Sequence, residues 1–160
     1  MASLSDFFEF ENVALRRIAA ADLDSTVAMI NAAYAYQDAA KGRPRTDNIH
    51  LSQRITESDF YVAKRGDEVV GCVYVEQHGP SVHFGLLTVA RQLRGTGLGA
   101  ALINAIEAYA KHLETNLLEL DYMSLAPWLK SYYERYGFKE TGQVVAWGTI
   151  DLIRMSKVIK

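Results

Sequence analysis

Arg94-Gly95-Thr96-Gly97-Leu98-Gly99 lies between the apolar run Val82-His83-Phe84-Gly85-Leu86-Leu87-Thr88-Val89 and a strongly amphipathic segment beginning at Leu98. Three glycines in five residues, where a strand passes into a helix, leave a row of backbone N–H groups with no side chains in front of them. The first turn of a helix already carries four unpaired N–H groups and the positive end of its dipole. This junction is therefore a ready seat for a phosphate or pyrophosphate. Arg94 adds a fixed positive charge at its edge.

Three loop types do this work, and the residues separate them. A P-loop requires Gly-x-x-x-x-Gly-Lys-Ser/Thr, and no such Lys-Ser or Lys-Thr follows here. A dinucleotide fingerprint, Gly-x-Gly-x-x-Gly/Ala, is met formally by Gly95, Gly97 and Ala100. Only about sixty residues follow it, too few for the rest of a dinucleotide domain. The third pattern is Arg/Gln-x-x-Gly-x-Gly/Ala, filled by Arg94, Gly97 and Gly99. It resembles the coenzyme A loop of the GNAT N-acyltransferase superfamily. Leu87-Thr88-Val89 stands before it as the apolar end of the central strand does in those enzymes. After a strand from Leu117 to Tyr122, the tail Tyr133-Glu134-Arg135-Tyr136-Gly137-Phe138 resembles the Tyr-Glu-x-x-Gly-Phe ending that closes their core.

Periodicity supplies the element order. Val13 to Ile18 reads as a strand, and Leu23, Val27, Ile30 and Tyr34 fall at helical spacing within Asp22 to Tyr36. Lys41 to Asp47 reads as a loop, followed by a short helix from Asn48 to Thr56. Phe60 to Lys64 and Val69 to Glu76 read as strands joined by the hairpin Arg65-Gly66-Asp67-Glu68. Gly79-Pro80 turns the chain into the central strand, Val82 to Val89. Leu98, Leu102, Ala105, Ile106, Tyr109 and Leu113 then form one apolar stripe. Two last strands, Val144 to Trp147 and Leu152 to Ser156, end the chain. The pattern alone gives an α/β or α+β domain with a mixed sheet. The resemblance sharpens this to one GNAT-like domain over residues 1–160. It implies a mixed, mostly antiparallel central sheet flanked by helices and splayed between the fourth and fifth strands.

Composition bounds the function classes. A chain of 160 residues with 49% hydrophobic and 22% charged residues is one globular domain with a sizeable core. A net charge of −2 gives no footprint for nucleic acid, and no basic cluster suggests a membrane surface. One cysteine, Cys72, favours a reducing compartment, and no signal-like segment begins the chain. A cytoplasmic location is expected. His50, His78 and His112 have no partners at metal-ligand spacing, so no metal site is expected.

The resemblance implies acetyl-CoA as co-substrate and an amine of a small molecule or peptide as acceptor. A homodimer is compatible with it. Its cofactor contacts map onto the backbone of Leu87 and Val89 and onto Arg94, Gly95, Thr96, Gly97, Leu98, Gly99 and Ala100. An extended pantetheine arm of roughly 15 Å, counted back along a strand at about 3.3 Å per residue, ends near Phe84 to Leu86. Gly85 falls there, where a missing side chain would admit an acyl group. Tyr133, by its place in the tail, is the candidate acid for the departing thiolate. The base is open among His83, Glu76, Asp121 and water. His83 titrates near neutrality and, by strand alternation, shares a face with Gly85 and Leu87. Position 90 lacks the Pro, and Ser124 to Ala126 the Asn, that many relatives carry. A module that binds acyl-CoA without catalysis is the alternative to an enzyme. Acceptor contacts are expected from the first two helices and their loop, including Tyr34, Tyr36, Arg45 and Thr46, and from the last strands. Arg45 could pair with a carboxylate, but its first reading is an exposed loop arginine.

Overall fold

The apolar runs build one seven-stranded sheet in a computed structural model that describes residues 1–159. Its strands are β1 (Ala14–Arg17), β2 (Asp59–Arg65), β3 (Glu68–His78), β4 (Ser81–Val89), β5 (Leu117–Met123), β6 (Lys139–Trp147) and β7 (Ile150–Val158). The helices are α1 (Leu23–Ala33), α2 (Asp38–Lys41), α3 (Asn48–Glu57), α4 (Leu98–His112) and α5 (Trp128–Glu134). Strand order is β1-β2-β3-β4-β5-β7-β6, antiparallel throughout except for the parallel pair β4–β5. This is the mixed, mostly antiparallel sheet expected from the sequence.

Two cores sandwich the sheet. Along β3, Val73 and Val75 point into one core with Leu98, Leu102 and Ile106 of α4. Cys72 and Tyr74 point into the other, with Ile30 of α1 and Leu51 of α3. The period of two that sorts side chains onto sheet faces thus decides which helix covers which face. No helix among the described residues is long and apolar enough to cross a membrane.

Three boundaries differ from the sequence reading. The first helix stops at Ala33, where Tyr34 leaves helical geometry. The segment read as running into a loop holds the single turn α2, closed by Gly42 at φ +71°. Strand β6 begins at Lys139 rather than Val144, because Gly142, at φ +90°, forms a bulge instead of ending the strand. The left-handed cap at Gly137 is present at φ +93°, with the Phe138 N–H donating to Tyr133 O at 3.2 Å and the Phe138 ring buried.

The largest departure lies inside β4. Cys72 pairs with Thr88 and Tyr74 with Gly85, so β4 carries one more residue than β3 between these pairs. Leu86 absorbs it at φ +52°, a left-handed conformation that costs a non-glycine residue roughly 1–2 kcal/mol. Its carbonyl is held by the Thr88 hydroxyl at 2.9 Å and the Cys72 thiol at 3.4 Å. The bulge changes the parity of the strand. Val82 and Phe84 face α4, Leu86 turns to the opposite core, and Leu87 and Val89 pack back toward α4. The expectation that His83 and Leu87 share a face therefore fails, because alternation is broken between them.

Asp22 ties the start of the chain to this frame. Its side chain, 2% exposed, accepts from the Ala19 N–H at 2.9 Å and pairs with Lys64 Nζ at 2.9 Å and Arg16 Nη1 at 2.8 Å. Burial alone would raise its pKa, but the Ala19 N–H and the two cations outweigh burial and lower it. Asp22→Ala strands Lys64 and the Ala19 N–H, and should cost about 3 kcal/mol in chemical denaturation. In the wild type the Asp22 contribution is complete above the unfolded value of 3.8 and is lost as pH falls through the lower folded value. The variant should show a flatter decline of stability over that acid window.

Candidate active site

The glycine-rich loop is built as a donor surface. Ala90 N–H donates to Val70 O at 2.8 Å, which fixes the end of β4, and one 3-10 turn (Arg91–Leu93) swings the chain toward α4. Gly95 and Gly97 then take φ +78° and +96°, values that favour glycine. The Leu98 side chain is fully buried and anchors the helix start. The Thr96 hydroxyl is spent on Leu93 O at 2.5 Å, so Thr96 contributes no free side-chain donor. No protein acceptor among the described residues takes the N–H of Gly95, Gly97, Leu98, Gly99 or Ala100. Arg94 is exposed beside them and lines a groove of about 430 Å³ that runs past Val89, Trp128, Leu129, Tyr132 and Tyr133. Tyr132 was not singled out for this end in the sequence. A Cβ on Gly99 would lie 2.6 Å from its hydroxyl, so Gly99 is fitted to Tyr132 as well as to any anion.

The groove exists because β4 and β5 part. They pair only at Ser81–Leu117, Val82–Leu118 and His83–Glu119. Beyond His83, β5 follows β7 while the bulge bends β4 away, leaving the β5 side of Phe84 to Val89 without a strand partner. The Tyr34 hydroxyl donates to Leu87 O at 3.4 Å across the opening. Leu87 and Val89 thus lie along a strand edge without a strand partner, with the Leu87 carbonyl engaged by Tyr34.

A second cavity, about 310 Å³, continues from the groove and shares Tyr34, Tyr36, Leu87, Leu129 and Tyr133 with it. His83 lies on its wall and Tyr133 at the junction of the two spaces. The structure thus brings both proton-transfer candidates to one cleft. Gly85 is there too, but the expected reason is wrong. A Cβ at Gly85 would collide with the Tyr74 ring, so the space its missing side chain leaves is filled by Tyr74.

Electrostatics separates the candidates. Burial lowers the His83 pKa, with Asp121 pulling the other way and Arg154 adding to the drop, so the imidazole is neutral at pH 7. The Tyr133 ring is 8% exposed and packs edge-on against Phe84, Phe138 and Tyr132. Burial raises its phenol well above the ordinary value, and no hydrogen bond engages its hydroxyl among the described residues. Glu76 is paired with Arg54 Nη1 at 3.1 Å and with His78 Nε2 at 3.4 Å. Asp121 accepts two bonds from Arg154, at 2.9 and 3.1 Å, and Glu119 lies 3.6 Å from the same guanidinium. Both carboxylates are thus engaged by Arg154. Cys72, fully buried and with its thiol pushed up to about 12 by burial, is a core residue. No group of three or more His, Cys, Asp or Glu comes together in a metal-binding arrangement among the described residues.

Arg45 is also reassigned. It lines the inner cavity half-buried, over the rings of Trp147 and Tyr34 at 4.9 and 5.7 Å. Trp147, at the end of one of the last strands expected to contribute acceptor contacts, joins it there. It reaches the cleft because the β6–β7 turn is tied to α2, with Lys41 Nζ donating to Trp147 O at 3.2 Å and Thr149 to Ala40 O at 2.6 Å.

A sequence model described as an acetyltransferase (GNAT) domain matches residues 30–159. No curated protein sequence matches the chain significantly. Solved structures share the fold at low identity. A Streptococcus mutans protein has 20% identity and a TM-score of 0.74, over 91% of this chain and 99% of that one. An N-acetyltransferase of Staphylococcus aureus has 17% identity and a TM-score of 0.69, over 94% and 100%. A ribosomal-protein-alanine N-acetyltransferase of Brucella melitensis has 20% identity and a TM-score of 0.68, over 91% and 99%.

The donor surface makes a direct prediction. Gly97→Asp places a carboxylate against the free N–H groups at a positive φ, where an aspartate is strained. Calorimetry with coenzyme A should show binding lost in a protein whose circular dichroism is unchanged.

Proposed function

We propose, from the premise that this chain belongs to the GNAT acetyltransferase family, that it moves an acetyl group from acetyl-CoA to a primary amine by direct attack in a ternary complex. One observation carries the reading. A row of free N–H groups at a helix start opens into a cleft where an unbonded phenol and a neutral imidazole line one continuous space. Acetyl-CoA supplies a thioester, a carbonyl that an amine can attack. The N–H groups of Gly95, Gly97, Leu98, Gly99 and Ala100 fit its pyrophosphate, because they have no protein acceptor and Arg94 adds charge beside them. The unpaired edge of β4 fits an extended amide chain as it would a further strand.

Within that cleft His83 takes a proton from the attacking nitrogen, a task open to it because burial keeps the ring neutral. Tyr133 gives its hydroxyl hydrogen to the departing sulfur. A phenol raised well above its ordinary value is a reluctant donor to a thiolate in water. Desolvation in the cleft disfavours a thiolate as well, so the proton affinities of the two groups move in the same direction. Glu76 and Asp121, engaged by Arg54 and Arg154, shape the field around His83.

The alternative, a module that binds acyl-CoA without chemistry, would have no use for an unbonded Tyr133 hydroxyl at the junction of the two cavities. Enzyme-dependent release of free thiol in the presence of amines excludes it.

Two variants test the assignment. Tyr133→Phe should lower kcat by roughly a hundred- to ten-thousand-fold with coenzyme A affinity unchanged by calorimetry. His83→Ala should lose rate chiefly below the amine's own pKa and regain part of it as pH rises. Because burial lowers the His83 value, the acid limb of wild-type kcat/KM should fall below the ordinary imidazole range near 6.5. A wild-type profile in His83→Ala removes the imidazole from the mechanism.

A further inference from the structure

Three arginines reach the space around the inner cavity, and their partners distinguish them. Arg54 is bonded to Glu76, and Arg154 is bonded twice to Asp121. Arg45 has no carboxylate within ion-pairing distance and no hydrogen bond from any guanidinium nitrogen among the described residues. Its Nε is sealed from solvent without an acceptor. A buried donor left unpaired costs about 1–3 kcal/mol, and more when it is charged. Burial pulls the guanidinium below its ordinary pKa, as expected of a cation without a counter-charge.

The surrounding chain holds this cation in place. Thr46, the next residue, exchanges two bonds with the Asn31 side chain, at 2.9 and 3.0 Å. Gln37 Nε2 donates to Arg43 O at 3.1 Å. Trp147 and Tyr34 lie against the guanidinium. A planar cation stacked on aromatic rings, on a braced loop, keeps its edge donors free for a planar anion. The same cavity is lined by His83, neutral at pH 7, and by Asp121, which is paired with Arg154.

We infer that the acceptor is an amine that also carries a carboxylate, its anionic end held by Arg45 between Tyr34 and Trp147 and its amine turned toward His83 and Tyr133. This rests on the acetyl-transfer reading above. A cavity of about 310 Å³ is the size of an amino acid rather than a folded protein surface. A larger acceptor has an exit, because a second hollow of about 280 Å³ shares Arg45, Arg54 and Trp147 and adds Arg43 and His50. A diamine or polyamine is disfavoured, because its second ammonium would meet Arg45, whose charge no carboxylate within ion-pairing distance offsets.

The experiment compares free amino acids with the corresponding amino acid amides and with diamines, using wild type, Arg45→Met and Arg45→Lys. Met keeps the length and apolar stacking and removes the charge. Turnover is read with acetyl-CoA, and binding of the same compounds is read by calorimetry with and without coenzyme A. At least one free amino acid should exceed its amide in kcat/KM tenfold or more. Arg45→Met should raise the KM for that acid at least tenfold and lower kcat/KM far more for the acid than for its amide, and Arg45→Lys should recover part of the loss. Amides or diamines used as well as the acids, an unchanged KM in Arg45→Met, or no free amino acid bound in either calorimetric series overturns the inference. Failure of coenzyme A itself to bind overturns the acetyl-transfer reading instead. The calorimetric series without coenzyme A still decides whether Arg45 takes a carboxylate.

Discussion

Three residue pairs hold β4 to β5, and the rest of the site depends on that pairing stopping there. A fourth or fifth pair would close the strand edge and leave no groove between Leu87 and α5. The halt has a local cause in the extra residue at Leu86. The strain of its left-handed backbone is supported on both sides, by the Thr88 hydroxyl and the Cys72 thiol on its carbonyl. Strain that persists because its surroundings over-determine it tends to sit at functional positions, and here it shapes the opening that the donor molecule needs.

A second constraint is desolvation. Tyr34, Tyr74 and Tyr133 all have phenols raised by burial, and His83 is kept neutral by the same effect. The cleft therefore favours uncharged forms of its own groups. The carboxylates at its edge, Glu76 and Asp121, are each paired with an arginine. A nucleophile must also arrive neutral, so the dielectric that holds His83 unprotonated helps the amine lose its proton.

Much of the donor half could be read from the sequence because its signals are local. Gly95, Gly97 and Gly99 mark the loop, the stripe from Leu98 to Tyr109 marks the helix, and Gly137-Phe138 marks the end of α5. The bulge could not be read, because Leu86 and Leu87 are both apolar and either parity looks consistent. Gly85 was noticed for the right position and the wrong reason, since the ring that needs its space comes from the neighbouring strand. Arg45, beside Gly42 and Pro44, has the local signature of an exposed loop. Its place in the cleft is set by Trp147, which lies a hundred residues away in sequence, and by the Asn31 brace on Thr46. Such contacts leave no trace in a window of neighbouring residues.

The two ties between α2 and the β6–β7 turn set how the molecule breathes. Lys41 on Trp147 and Thr149 on Ala40 join segments more than a hundred residues apart, and β6 is an edge strand with an exposed outer face. Breaking these few bonds frees the turn while leaving the pairing of β3 with β4 and the packing of α4 intact. Opening at this corner is a sub-global event, well below the free energy of unfolding the whole chain. Backbone amides near Trp147 should therefore exchange with solvent sooner than those of β3. Entry and exit on the acceptor side can then proceed while the loop at Gly97 keeps its shape.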